Sequence, residues 1–149
     1  MRGEALPPGW DELADGDTLR LYAGAEVLFS SGKHWLHPLF DLEAFFREGG
    51  AEAAGTCLAD RVTGRAAAFL TVRLGIRELR TGVLSRRAIP VLEAHGVSYR
   101  CAREVDRVLC ATEDLLAQVQ DVEAAWTLLQ ERRARALAGP ALRAGRSTA

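Results

Sequence analysis

The sequence of 149 residues is 48% hydrophobic and 26% charged, which is typical of one soluble globular domain and excludes a disordered or fibrous chain. Its 19 basic and 20 acidic side chains give a formal net charge of −1, so no general basic field would attract duplex nucleic acid or an anionic membrane. The three cysteines are irregularly spaced and no signal peptide or membrane-spanning run is evident, so we expect a cytoplasmic protein with reduced thiols.

The first part of the chain predicts a hairpin, a helix and a strand. Apolar residues alternate from Leu19 to Phe29 on either side of Gly24-Ala25, which indicates two antiparallel strands joined by a tight turn. Apolar residues at helical spacing from Trp35 to Phe46 predict a helix that ends at Gly49-Gly50. The compact apolar run from Thr56 to Val62 predicts a third strand.

The second part predicts an alternation of helices and strands, with Ser, Thr and Asp as helix N-caps. In chain order these are a helix over 65–75, a strand over 76–84, a helix over 86–95 capped by Ser85, a strand over 97–105, and two helices capped by Thr112 and Asp121.

This order of elements indicates an α/β fold. We predict a three-layer architecture around a mixed five-stranded sheet. No repeat or internal linker is present, so one domain is expected over residues 18–138. An N-terminal extension, 1–17, precedes it, and a flexible tail, 139–149, which lacks periodicity, follows it.

The first strand-to-helix junction carries the most chemistry. Open α/β sheets bind ligands beyond the carboxyl ends of their strands, where helix N–H groups are free. Here Asp60 and Thr63 supply polar groups, Gly64 permits close approach and Arg65 could clamp an anion. The alternative is that Thr63 is only an N-cap and Gly64 only a turn. Ser85, at the next junction, is either a ligand-binding hydroxyl or a simple cap.

A polar loop before the first predicted helix offers a second anion contact. Ser30, Ser31 and Lys33 could bind a phosphate, and Trp35 could stack on a base, although its spacing also fits a core residue. With the junction above, this loop predicts a pocket for a small anionic or nucleotide-like ligand. No cofactor and no metal site are predicted, because the His and Cys residues match no recognised metal-binding spacing.

Cys110 is the cysteine placed best for reaction. It precedes a predicted helix whose N–H groups would favour a thiolate, and Glu113 or His37 could orient it as a nucleophile. The alternative is that Cys110 is a small buried hydrophobe and that Glu113 only complements the helix dipole.

Four segments carry a resemblance to a known family: LRLYAGAEVLFSSGKHWLHPLFDL, LADRVTGRAAAFLTVRLGI, VLSRRAIPVLEAHGVSY and LCATEDLLAQVQDVEAAWTLL. From about Thr18 to Gln130 the chain resembles the bacterial and archaeal domain of unknown function 1893, most specifically over Asp60 to Ala68. The resemblance implies a cytidine-deaminase-like fold. It also relates Cys110 and Glu113 to a Cys-Pro-x-Glu motif of the family, with Ala111 in place of the proline.

Zinc deaminases place a His or Cys and a general-acid Glu at one helix start and a Pro-Cys-x-x-Cys at the next. This chain instead has Gly64-Arg65-Ala66-Ala67 and Ser85-Arg86-Arg87-Ala88, so zinc-dependent deamination is not expected. Three functions remain: a ligand-binding protein of deaminase-like fold, an enzyme that uses Cys110, and a non-catalytic interaction module. The sequence leaves open whether the chain forms a homo-oligomer.

Overall fold

The computed structural model describes residues 2–7, 10, 12, 13, 16–108 and 110–148. It contains five strands and five helices within those residues. They are β1 (Leu19–Ala23), β2 (Glu26–Ser31), α1 (His37–Arg47), β3 (Thr56–Thr63), α2 (Arg65–Arg73), β4 (Glu78–Ser85), α3 (Ile89–Ala94), β5 (Ser98–Val105), α4 (Ala111–Leu115) and α5 (Val122–Thr148).

The strands form one mixed sheet in the order β2-β1-β3-β4-β5. The hairpin β1–β2 and the pair β1–β3 are antiparallel, whereas β3–β4 and β4–β5 are parallel. The predicted mixed five-stranded sheet is therefore confirmed. Because β3, β4 and β5 run in the same direction, their carboxyl ends meet at one edge of the sheet, which is where the chemistry-bearing junctions lie.

The helices form a single layer. Helices α1, α3, α4 and α5 all contact α2, and one continuous core joins them to the sheet. Phe69 of α2, Leu92 of α3 and Leu129 of α5 are buried in this core with the strand residues Leu21 and Leu58. Two successive right-handed crossovers that step the same way along a sheet place their helices on the same face. The structure thus has one helical layer on the sheet, where the sequence predicted helices on both faces.

The opposite face of the sheet is covered by the chain that precedes β1. Leu13 is buried there against Tyr22 and Ala59, and Trp10 packs beside it. Closer to the start, the N–H of Gly3 donates to the carbonyl of Tyr99 (2.8 Å), which attaches this segment to β5. The described residues of the predicted N-terminal extension therefore complete the packing of the sheet.

Several helix ends differ from the prediction. Ser85 is the last residue of β4, and α3 begins only at Ile89, because Pro90 has no N–H to donate and fits the first helical turn. Thr112 lies inside α4, whose N-cap is Cys110. The capping role of Asp121 is confirmed, since its carboxylate accepts the N–H of Ala124 at 2.8 Å.

Two further differences concern α1 and α5. Helix α1 begins at His37 and not at Trp35, because Trp35 has a φ of 59°, which is outside the helical region. Helix α5 continues to Thr148, through the segment predicted as an irregular tail, where Ala, Leu and Arg favour helix. None of the described helices is long and apolar enough to cross a membrane.

Candidate functional site

Two adjoining cavities lie at the carboxyl end of β3. The cavity beside α2 and α4, here called the inner cavity, has a volume of about 290 Å³, and the cavity beside the loop that precedes α1, here called the outer cavity, has about 420 Å³. Trp35, Asp60 and Val62 line both, so the two cavities form one cleft with a shared wall. The inner cavity is also lined by Leu36, Gly64, Ala66, Ala67, Val108, Cys110, Thr112 and Glu113. The outer cavity is also lined by Gly16, Thr18, Leu19, Lys33, His34, Pro38, Leu39 and Arg61.

Asp60, one of the residues predicted to bind a ligand, lies in the shared wall. It is only 9% exposed, and burial raises the pKa of its carboxyl from 3.8 to about 7. Hydrogen bonds from the N–H groups of Val62 and Arg61 and from the Thr63 hydroxyl act in the opposite direction and offset part of this rise. Asp60 is therefore a buried carboxyl that gains and loses its proton near neutral pH.

Glu113 is held by three donors inside the protein. It is 1% exposed, and its Oε2 accepts hydrogen bonds from the Ser85 hydroxyl (2.7 Å) and the Val108 N–H (3.3 Å). Its Oε1 accepts the N–H of Arg65, the first residue of α2. The carboxylate thus joins α4 to the ends of β3 and β4, and we assign it a structural role in place of the predicted catalytic one.

Gly64 owes its place to this carboxylate and not to a turn. Its backbone is extended (φ −93°), so a side chain would not strain the chain there. A Cβ at this position, however, would lie 2.7 Å from both Oε1 of Glu113 and Cγ2 of Val108. Glycine is required because Glu113 approaches the backbone so closely, and Gly64 also lines the inner cavity.

Arg65 does not face the cleft. Its guanidinium donates to three backbone carbonyls, those of Leu116 (2.8 Å), Arg87 (2.9 Å) and Val119. It is 5% exposed, and burial lowers its pKa. The guanidinium fork therefore ties α2 to the chain that follows β4 and α4. Three of the five guanidinium N–H donors are engaged in this way, and Arg65 lines neither cavity, so the structure favours a structural role over the predicted anion clamp.

The remaining predicted ligand contacts are divided between the cleft and its support. Lys33 lines the outer cavity and pairs with Asp41 at 2.7 Å, with 63% of its side chain exposed. Thr63 is fully buried; its hydroxyl lies 3.0 Å from the hydroxyl of Thr81 and hydrogen-bonds to the Asp60 carboxyl, so it supports the cleft wall from behind. Ser85 is also buried and acts through Glu113. Of the six predicted ligand-binding residues, Lys33, Asp60 and Gly64 line the cleft.

Cys110 lines the inner cavity and is half-buried. Its Sγ lies 2.9 Å from the hydroxyl of Thr112. The two predicted orienting groups are engaged elsewhere: Glu113 binds three other donors, and the His37 ring packs edge-on against Trp35 with 5.1 Å between centroids. Cys110 therefore lies in a cavity that could admit a substrate, but the polar group beside its sulfur is the Thr112 hydroxyl and not Glu113 or His37.

Sequence reasoning missed the apolar wall of the cleft. Leu36 and Val108 carry no reactive group, and the apolar run from Thr56 to Val62 predicts a strand without indicating that Val62 is exposed. In the structure Val62 is 47% exposed, which is unusual for a strand valine beside a buried carboxyl. Alternation along β3 places Val62 on the same face as Asp60, and this period-2 pattern was the signal that could have identified it.

Comparison with known proteins agrees with this fold. The family model for the domain of unknown function DUF1893 matches residues 11–132. The chain belongs to this family. A crystal structure of a DUF1893 family protein (TM1506) from Thermotoga maritima is similar, with a TM-score of 0.71 and 21% sequence identity over 78% of this chain and 80% of that chain. At this identity the likeness shows a common fold. No curated protein matches the chain significantly.

The resemblance stated from the sequence is thus confirmed at the level of the DUF1893 family, while the cytidine-deaminase-like assignment stays a prediction. Within the described parts of the chain, no three His, Cys, Asp or Glu side chains are grouped as ligands of a metal ion.

Proposed function

We propose that this DUF1893 chain binds a small nucleotide-like molecule, with its planar part in the inner cavity and its anionic part in the outer cavity. The observation that carries the proposal is the shared wall of Trp35, Asp60 and Val62, which joins two cavities of different character. Their volumes lie near the range of roughly 300–1,000 Å³ that small-molecule pockets occupy.

The inner cavity suits a planar, largely apolar group. Leu36, Val62 and Val108 supply aliphatic surface, and the Trp35 indole can stack on a flat ring. Ala66 and Ala67, in the first turn of α2, have small side chains that leave room beside the backbone. Ligand pockets commonly combine such apolar walls with a few polar groups that orient the ligand, and Asp60 is such a group here.

The outer cavity suits the anionic part. Lys33 and His34 line it and are exposed, and the ammonium of Lys33 already binds one carboxylate, that of Asp41. An exposed ion pair of this kind is worth only about 0–1 kcal/mol, so an incoming phosphate can replace Asp41 at little cost. The Arg61 guanidinium donates to the carbonyls of Asp17 and Leu13, which hold it in position. Arg61 therefore adds positive charge beside the outer cavity.

The backbone of Trp35 supports a binding role for its ring. Its φ of 59° lies in the left-handed region, and Trp35 is the one non-glycine among the described residues to adopt a positive φ. Such a conformation costs about 1–3 kcal/mol and is often found at binding sites. The strained backbone directs Trp35 out of the helix that follows, to a position where it lines both cavities.

Filling the cleft tests the proposal. Calorimetric titration with the four ribonucleoside monophosphates is expected to detect binding to the natural chain, and Val62→Trp is expected to abolish it because the indole would occupy the shared wall. Val27→Trp is the matched control, since Val27 is a strand valine of similar exposure (45% against 47%) outside both cavities. Binding that survives Val62→Trp, or no binding of any of the four compounds to the natural chain, would contradict the proposal.

A second candidate is a cysteine-dependent reaction in the same inner cavity. The observation in its favour is that Cys110 lines the cavity with a hydroxyl 2.9 Å from its sulfur. Burial raises the pKa of the Cys57 and Cys101 thiols, so these two provide internal references of low reactivity. Cys110 is expected to react with iodoacetamide at least about tenfold faster than either. Equal rates for the three thiols, measured by peptide mass spectrometry, would remove this candidate.

A further inference from the structure

We infer that the inner cavity selects a planar group with an amidine-like, N–H-donating and cationic edge, and that the carboxylate of Asp60 binds this edge. The inference rests on the proposed function and names the chemistry of the part that enters the inner cavity. It changes the expectation of an anionic ligand, because the anionic part is restricted to the outer cavity.

The charges of the inner cavity carry this inference. Its described lining contains two carboxyl groups, Asp60 and Glu113, and no lysine, arginine or histidine. An anionic group placed there would meet like charge in surroundings of low polarity, where repulsion is strong. A donor group or a cation would meet attraction. The acidic side chains of the lining therefore disfavour a carboxylate or phosphate in this cavity and favour a group with N–H donors.

The two carboxyls differ in their charged neighbours: within the described chain Glu113 interacts with the Arg65 guanidinium, whereas Asp60 has no cationic partner. Glu113 already accepts hydrogen bonds from Ser85, Val108 and Arg65, which satisfy it within the protein. Asp60 accepts hydrogen bonds from the backbone N–H groups of Val62 and Arg61 and from the Thr63 hydroxyl, and no ion pair joins it to a cation of the described chain. A buried carboxylate without a cationic partner is costly, so a cationic ligand would supply what the fold does not.

Lys33 and Arg61, which line the outer cavity, and Arg65, at the start of α2, have other partners. Arg65 donates to three carbonyls, and Arg61 donates to the carbonyls of Asp17 and Leu13. Lys33, which lines the outer cavity, binds Asp41. The titratable and charged groups that share the cleft with Asp60 are Lys33, His34, Arg61, Cys110 and Glu113.

Proton transfer accompanies binding in this scheme. With a pKa near 7, about half of the Asp60 carboxyls are protonated at pH 7. An amidinium binds the ionised form, so a protonated Asp60 releases its proton to solvent as the amidinium enters, and charge and protons balance. Observed affinity follows the ionised fraction of Asp60. It is therefore expected to fall about tenfold between pH 8 and pH 6.

Benzamidinium, benzamide and benzoate test the inference, because these planar probes are nearly equal in size and differ in charge. Calorimetric titration at pH 8 is expected to show benzamidinium binding at least about tenfold tighter than benzoate, with benzamide between them. Asp60→Asn is expected to remove this preference. Asp106→Asn removes the same charge from a side chain that is 87% exposed, and it is expected to leave the order unchanged.

The pH dependence of binding is a second test, and it is measured on the natural chain, so it does not depend on whether an Asp60 variant folds. Benzamidinium affinity is expected to fall about tenfold from pH 8 to pH 6, with proton release detected from the buffer dependence of the binding enthalpy. His34→Asn is expected to keep this slope, which separates Asp60 from the imidazole in the outer cavity. If nucleotides bind in the cleft but benzamidinium binds no tighter than benzoate, the inference is wrong and the proposed function stands. If neither the nucleotides nor these probes bind, the inference and the proposed function are both wrong.

Discussion

Replacing Asp60 by asparagine removes one buried titrating group and is expected to change how stability depends on pH. Burial raises the pKa of this carboxyl from 3.8 to about 7, so between these values the folded state holds a proton that the unfolded state releases. The corresponding stability is complete below about pH 4 and is lost as the pH rises through 7. At about 1.36 kcal/mol per pKa unit, the full loss is roughly 4 kcal/mol.

The part of this loss of stability that occurs between pH 5 and pH 8 is large enough to measure. Between pH 5 and pH 8 the linkage relation gives a decrease of roughly 2–3 kcal/mol in the free energy of unfolding, all of it from Asp60. Asparagine has nearly the same shape and carries no titrating proton. The difference in stability between Asp60→Asn and the natural chain is therefore expected to shift in favour of the variant by this amount over the same range.

Urea unfolding of both proteins at pH 5, 6, 7 and 8 measures the difference. All other titrating groups are common to the two proteins, so their contributions cancel. Asp106→Asn serves as the control, because its exposed side chain is expected to produce a difference that does not vary with pH. A difference that stays constant from pH 5 to pH 8 for Asp60→Asn, or one that moves in favour of the natural chain, would refute the assignment of a raised pKa to this carboxyl.

Three further substitutions test the support of the cleft by thermal or urea unfolding. Gly64→Ala is expected to destabilise the fold by about 1–3 kcal/mol, because its Cβ would meet Glu113 and Val108 at 2.7 Å; a neutral effect would contradict the close approach. Ser85→Ala is expected to cost about 1–3 kcal/mol through the lost donor to Glu113, and unchanged stability would argue against that bond. Arg65→Lys is expected to cost at least about 2 kcal/mol, because one ammonium cannot reach three carbonyls; full stability in this variant would reopen a ligand role for Arg65.

The elements were predictable from the sequence where local periodicity determines them. Alternation in β1 and β2, helical spacing in α1, and the strand-helix-strand succession from β3 to β5 are all local patterns. The side of the sheet on which a helix packs is not local. An amphipathic helix shows which of its faces is apolar, but the single helical layer depends on strand order, which sequence periodicity does not specify.

In the candidate site, too, the residues that local sequence identifies differ from those whose role depends on distant contacts. Asp60 could be singled out because it lies at a strand-to-helix junction, and the sheet places that junction at the edge where open α/β sheets bind ligands. The role of Arg65 could not be found, because its acceptors at Arg87, Leu116 and Val119 lie 22 to 54 residues away in the chain. An arginine next to a glycine looks the same in sequence whether it faces a ligand or the backbone of a distant loop.

The central claim is that the cleft beside Asp60 is the ligand site, and mapping a bound ligand onto the backbone tests it most directly. Amide chemical shifts of the isotope-labelled chain, followed during titration with a ribonucleoside monophosphate, are expected to move at Trp35, Val62 and Ala66. Amides of β2 around Val27 are expected to stay in place. Shifts confined to other surfaces, such as the groove that contains Phe40 and Trp126 between α1 and α5, would contradict the account.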